Sequence, residues 1–194
     1  IGYARVRAAR VTYVGELGWE LYIPTEFARG VFDVLLEAGS EFGLKLAGLH
    51  ALDSCRIEKA YRHWGHDIGE EDTPLEAGLM FAVKMDKREF IGRDALLRQR
   101  EKGANRRLVQ FLLKDPEPIL YHDEPIFADG AMLGRTTSGA YGHCLGGAVG
   151  LGYLRDDLGP ITDLISSGSF EIEVAGRRIP AAASLTPMYD PKNE

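Results

Sequence analysis

Arg107-Leu108-Val109-Gln110-Phe111-Leu112-Leu113 decides the second half of the chain. Its apolar and β-forming residues run without a helical period, and Pro116 and Pro118 follow it, so it reads as a strand. Downstream, Glu124 to Phe127 reads as another strand, and Ala128-Asp129-Gly130 as a turn. Met132 to Thr136, Ala148 to Leu154 and Phe170 to Val174 continue the pattern, and Gly176 turns the chain back into Arg178 to Leu185. Short strands separated by glycine turns imply a small antiparallel barrel or sandwich. The Gly-rich run from Gly139 to Gly152 lacks the strand-turn-helix setting of a dinucleotide site. Turns and close strand packing account for it better.

Upstream the composition changes at about Gly103, which places a boundary near Lys102 to Arg106 and divides the chain into 1–102 and 103–194. Gly92 to Lys102 is helix-like, Met80 to Met85 strand-like, and Thr73-Pro74-Leu75-Glu76 a turn or short helix entry. Tyr61 to Ile68 has no clean period. A helix is expected from about Gly48 to Tyr61. Another begins at Pro24-Thr25-Glu26, with Thr25 as cap, and carries Phe27, Val31, Phe32, Leu35 and Leu36 on one stripe before stopping at Gly39. Ala4 to Ile23 reads as strand, turn, strand. The fold class is therefore α+β.

The chain has 194 residues, 45% hydrophobic and 27% charged, with a net charge of -6. Lys and Arg never run more than two together, so the clustered basic face of a nucleic-acid binder is missing. No apolar stretch approaches the ~20 residues of a membrane span. Cys55 and Cys144 lie far apart, which suggests reduced thiols rather than a disulfide scaffold. The chain opens at Ile1 on a basic, strand-like stretch and reads as part of a longer protein.

Three segments, taken together, resemble one family. They are Tyr13-Val14-Gly15-Glu16-Leu17-Gly18-Trp19-Glu20, then Arg56-Ile57-Glu58-Lys59-Ala60-Tyr61-Arg62-His63-Trp64-Gly65-His66-Asp67, then Thr73-Pro74-Leu75-Glu76-Ala77-Gly78-Leu79 with Phe90-Ile91-Gly92-Arg93. Thr137 to Gly142 and Leu151-Gly152-Tyr153 extend the match. The pattern resembles the glycine cleavage T-protein, or aminomethyltransferase, family. The Arg-His-Trp-Gly form is similar to the folate-binding region of dimethylglycine and sarcosine dehydrogenases.

The resemblance implies part of a ferredoxin-like α/β folate-binding region followed by a C-terminal antiparallel β-barrel. It implies tetrahydrofolate as cofactor, with FAD only in a further N-terminal domain. The family's catalytic Asp lies upstream of the Tyr13 motif, so no catalytic residue is assigned here, and the isolated chain is expected to lack full turnover. The implied partners are folate, a small methylated amine intermediate and upstream domains of the same polypeptide, with neither nucleic acid nor membrane. The implied setting is the bacterial cytoplasm or the mitochondrial matrix.

The resemblance also nominates cofactor-binding residues. Glu20 matches the Glu that takes the pterin N–H and amino edge, and an ionised carboxylate accepts two such bonds. Tyr13 and Tyr61 are expected to line the pocket, and Phe81 to offer a stacking face where relatives often carry Trp. Arg56 is expected to pair with Glu58, with Glu76 or with a folate carboxylate. Leu52 stands where the T-protein has a second Arg, which leaves the folate tail without that partner. His63 and His66 lack a third ligand, so metal binding is not expected. Ser138 and His143 lack a nucleophile elbow and an orienting acid. Two alternatives remain, a free-standing glycine cleavage aminomethyltransferase and a non-catalytic folate-binding module.

Overall fold

The computed structural model describes residues 1–193. The chain forms two compact units, one of Ile1–Asp53 and one starting at Ser54.

In the first unit, β1 (Arg7–Ala9) and β2 (Glu20–Tyr22) form a two-stranded antiparallel sheet with Ala8 opposite Leu21. Arg10 donates to the Gly18 carbonyl at 2.9 Å and stacks over Trp19, which ties the connecting loop. A 3₁₀ turn, Thr25–Phe27, leads into α1 (Ala28–Gly39). The expected Thr25 cap does not form, because Pro24 holds the cap position and no side chain bonds there. Of the apolar stripe only Val31 is fully buried, and Phe32 keeps 46% of its surface. A two-stranded sheet offers too little apolar area to cover the whole stripe. α1 stops at Gly39 as expected, passes into a second 3₁₀ turn, Ser40–Phe42, and ends on Gly43 in the left-handed region.

The second unit is built on a closed six-stranded antiparallel barrel. Its strands are β3 (Arg106–Leu113), β4 (Pro125–Ala128), β5 (Ala131–Gly142), β6 (Gly147–Arg155), β7 (Phe170–Val174) and β8 (Arg177–Ser184). They follow around the barrel in the order β3-β6-β5-β4-β7-β8, and β8 closes on β3. Closure leaves no edge strand to aggregate. Val109, Phe111, Leu113, Ile126, Leu133, Leu154 and Ile172 fill the interior. A short helix that the sequence pattern did not signal, α4 (Ile161–Ser167), adds Ile161 and Leu164 to that core.

Helix α2 (Leu49–Glu58) brings Ile57 and the following Ala60 onto the outer face of the barrel against Leu108, Val149 and Leu151. This is why β3 and β6 are buried on both faces and read as nearly continuous apolar runs. Gln110, pointing outward from β3, donates to the Ile57 and Glu58 carbonyls at 2.7 and 3.0 Å. It thereby satisfies carbonyls that the helix end leaves unpaired. The buried Lys59 ammonium holds the C-terminal segment through the Asp190 carbonyl at 2.6 Å, the Asp190 carboxylate at 3.0 Å and Asn193 Oδ1 at 2.8 Å. These ties explain why residues from Ser54 on cohere with the barrel, although composition changes only near Gly103. α3 (Arg93–Lys102) lies where a helix was expected. Met80 to Met85 is not a strand. Met80–Ala82 is a 3₁₀ turn entered after Gly78 in the left-handed region, a conformation that breaks an extended run.

Gly78 combines a φ of +70° with crowding, because a Cβ there would lie 2.9 Å from Arg62 Nη2 and 3.4 Å from Arg107 Nη2. Gly78→Ala is expected to cost about 1–3 kcal/mol in urea unfolding. A change within experimental error would contradict this account of the turn.

At the start of β3, Arg106 pairs with Asp72 at 2.8 Å and with Glu76 at 3.4 Å. Burial acts to raise the Glu76 carboxyl, but the Thr73 amide and hydroxyl together with Arg106 outweigh it, and the net shift is downward. A lowered folded-state value contributes stability above the ordinary carboxylate range, and the contribution is lost as pH falls through that lowered value. Melting temperature is therefore expected to drop as pH falls below about 4, and to drop less steeply in Glu76→Gln. Equal slopes would refute the assignment.

Candidate functional site

α2 ends at Glu58, and the chain then reverses through Ala60, which has a φ of +53°. The Tyr61 amide bonds the Arg56 carbonyl at 2.9 Å. From Tyr61 to Ile68 the backbone folds into a closed loop. Asp67 N bonds the His63 carbonyl at 2.9 Å, and Gly65 N bonds the Ile68 carbonyl at 2.8 Å. Gly65 supplies a φ of +89° that the tip requires.

Asp67 sits at the centre of this loop, wholly shielded from water. Its Oδ2 accepts from Arg56 Nη1 at 2.8 Å and from the His63 amide at 2.8 Å. Its Oδ1 accepts from Ser138 Oγ at 2.7 Å and from the Thr137 hydroxyl. A carboxylate has about four acceptor positions, and all are engaged. Arg56 Nη1 also donates to the Tyr61 carbonyl at 3.2 Å and to Ser138 Oγ at 3.1 Å. Arg56 was expected to pair with Glu58, Glu76 or a ligand. Among these interactions its carboxylate partner is instead Asp67, at a site where only 3% of the Arg56 side chain is exposed. Glu58 accepts the Cys144 and Leu145 amides at 2.7 and 2.9 Å, and Glu76 pairs with Arg106.

The neighbouring Arg62 donates to the Ala77 carbonyl at 3.0 Å and to the Ala60 carbonyl at 2.8 Å. Burial, and then the nearby Arg107 cation, push its guanidinium below the usual arginine range. Tyr153 is raised, chiefly by burial and then by Asp72.

The other nominated residues are placed as follows. Glu20 lies exposed on β2, and its Oε2 accepts from the Tyr22 hydroxyl at 2.9 Å. That hydrogen bond, with the Glu20 charge, raises the Tyr22 phenol. Tyr13 is half-buried in the loop joining β1 and β2. Tyr61 is half-buried beside Arg56, so the structure brings these two together. Phe81 keeps 86% of its surface in the 3₁₀ turn. Glu20 and Tyr13 belong to the first unit, while Arg56, Tyr61 and Phe81 belong to the second.

Two residues escaped sequence reasoning. Asp67 stood in the quoted motif, but nothing local marked it as buried, since the two hydroxyls that complete its shell are 70 and 71 positions away. Trp64, 68% exposed at the loop tip, was quoted only as part of the motif. Both cysteines are free thiols. Among the described residues no group of three or more His, Cys, Asp or Glu could hold a metal ion, and no helix is long and apolar enough to cross a membrane.

Comparison with known proteins agrees with this architecture. Residues 1–87 match the GCVT N-terminal domain, and residues 106–190 match the glycine cleavage T-protein C-terminal barrel domain. The chain is 50% identical over its whole length to 4-methylaminobutanoate oxidase (formaldehyde-forming) of Paenarthrobacter nicotinovorans, covering 23% of that protein. It is 41% identical, over 97% of its length, to the mitochondrial pyruvate dehydrogenase phosphatase regulatory subunit of Mus musculus, again covering 23%. The chain thus spans less than a quarter of these curated relatives. Glycine cleavage system aminomethyltransferase T from Bartonella henselae superposes with a TM-score of 0.81 at 27% identity, over 95% of this chain and 50% of that one. With both family domains matched in order and an aminomethyltransferase sharing the fold, the chain belongs to the glycine cleavage T-protein family.

Proposed function

We propose that the chain is the C-terminal part of a tetrahydrofolate-dependent aminomethyltransferase-like unit within a flavoprotein that oxidises an N-methyl amine, of the dimethylglycine or sarcosine dehydrogenase type. In this role it helps pass a one-carbon unit from the amine-derived iminium to tetrahydrofolate. The observation that carries the reading is the pair of family matches, together with 50% identity to an N-methyl amine oxidase over the full chain.

The residues present suit the cofactor. Glu20 is a carboxylate turned outward from a strand, already holding one donor, and it has capacity for a pterin N–H edge. Tyr13 and Tyr61 offer half-buried rings, and Phe81 an open face for an aromatic group. Tetrahydrofolate, when bound, supplies N5 as the nucleophile that takes the one-carbon unit. The chain's own task is to bind, orient and shield that group. Arg56, bonded to Asp67 and to the Tyr61 carbonyl, supports the Tyr61 loop.

Calorimetric titration with folinic acid tests the reading. Wild type is expected to bind. Glu20→Ala is expected to lose roughly tenfold or more, the worth of charge-assisted hydrogen bonds of about 1.5–3 kcal/mol. Equal binding by both proteins would remove Glu20 from the site, and no binding by wild type would count against folate.

A second reading has its own support. The similarity to a regulatory subunit fits a folate-fold module without catalysis. It predicts binding, or interaction, without any restoration of methylenetetrahydrofolate formation when the chain is joined to its upstream polypeptide. The first reading predicts restoration.

A further inference from the structure

Neighbouring residues on a strand point to opposite faces. Thr137 and Ser138 are neighbours on β5, yet both hydroxyls reach the same Asp67 oxygen. The pairing of β5 with β6 explains this. Its register shifts between Thr136 and Ser138, so a β-bulge turns both side chains to one side. Bulges of this kind re-aim side chains and concentrate near functional sites.

The bulge therefore serves the loop. It fixes Asp67, which in turn holds the His63 amide and, through Arg56, the Tyr61 carbonyl. The residue so displayed is Trp64, with 68% of its surface exposed. In the same loop the His63 and His66 rings have centroids 4.7 Å apart. Core packing does not explain a buried charge network that orders a loop only to leave its largest apolar side chain in water. Supporting networks of this kind are what a binding residue needs to be held in place.

Resting on the folate reading above, we propose that Asp67, seated in the Thr137–Ser138 bulge, is a positioning residue. It fixes the Tyr61–Ile68 loop and presents Trp64, in the same loop as Tyr61, as a further aromatic face for the flat ring system of the folate. Trp64 is then a ligand contact, and Asp67 acts through it. A planar conjugated ligand suits an indole face better than an aliphatic one would.

The test uses the whole chain carrying Trp19→Phe, which leaves Trp64 as its fluorophore. Time-resolved anisotropy is expected to show Trp64 turning with the protein, and folinic acid is expected to quench it. The pair Thr137→Val and Ser138→Ala is expected to add a nanosecond component to the decay and to weaken folinic acid binding. Trp64→Ala, an exposed change that spares the fold, is expected to weaken binding by about tenfold. Unchanged binding in Trp64→Ala, or equal Trp64 mobility with and without the bulge hydroxyls, would overturn the proposal. A bulge variant that circular dichroism shows to be unfolded would also overturn it, because the two hydroxyls would then hold the unit's fold and not the loop alone. If wild type does not bind folinic acid but Trp64 loosens in the bulge variant, the folate reading and the ligand half fall, and the positioning role of Asp67 stands.

Discussion

Asp67→Ala is expected to destabilise the unit that begins at Ser54 by about 3–5 kcal/mol, because it removes the carboxylate that sits 2.8 Å from the buried Arg56 guanidinium. The cost comes from desolvation rather than from lost attraction. With only 3% of the Arg56 side chain exposed and none of Asp67, water cannot take over the missing partner. The same logic predicts the double variant. Arg56→Met combined with Asp67→Ala recovers much of the loss, since no charge then remains stranded. Urea unfolding of the two singles and the double closes the cycle. Additive losses would show that the two side chains do not form one energetic unit.

The second large effect is steric. A Cβ at Gly134 would lie 1.8 Å from the Tyr153 carbonyl oxygen on the paired strand β6, and backbone cannot rotate out of the way. Gly134→Ala is expected to cost about 3 kcal/mol, the upper end of the usual range for overpacking, or to force β5 and β6 apart. Gly139 is a second such place, 2.4 Å from the Leu120 carbonyl carbon. Gly130→Ala is the contrasting control. It has open space and only the strain of a turn φ of +85°, so the loss there should be smaller. A milder effect at Gly134 than at Gly130 would contradict the close approach of the strands.

These effects mark what the sequence made legible. Most barrel strands announced themselves as short runs of β-forming residues near Gly or Pro, whereas β5 runs on past the expected Met132–Thr136 stretch to Gly142. Phe170–Val174 falls where the pattern places it, and the Gly139 to Gly152 run is the close strand packing expected of it. Two features misled. Met80 to Met85 has strand composition, but Gly78 in the left-handed region sets a turn before it, and one backbone angle outweighs side-chain preference. α1 has a full apolar stripe, yet its own unit supplies only a two-stranded sheet to cover it. Periodicity reports which face is apolar, not what lies against it.

The candidate site divides in the same way. Glu20, Tyr13 and Tyr61 were nominated by the resemblance of contiguous motifs to the family. Asp67 depends on hydroxyls more than 60 residues away, aimed at it by a bulge that no local pattern reveals. Arg56 illustrates the limit. Arginine suits many carboxylates, and three-dimensional pairing alone selected Asp67 over Glu58 and Glu76.

The central proposal is that this chain binds folate, with the Glu20 carboxylate taking the pterin edge. Two-dimensional carbon-13 NMR of the labelled chain, titrated with folinic acid, tests it most directly. The account predicts saturable shifts in the Glu20 carboxylate and in the rings of Tyr13, Tyr61 and Phe81, while Ile172 and Phe111 deep in the barrel stay still. Spectra that do not move, or that move only at residues remote from these four, would contradict it.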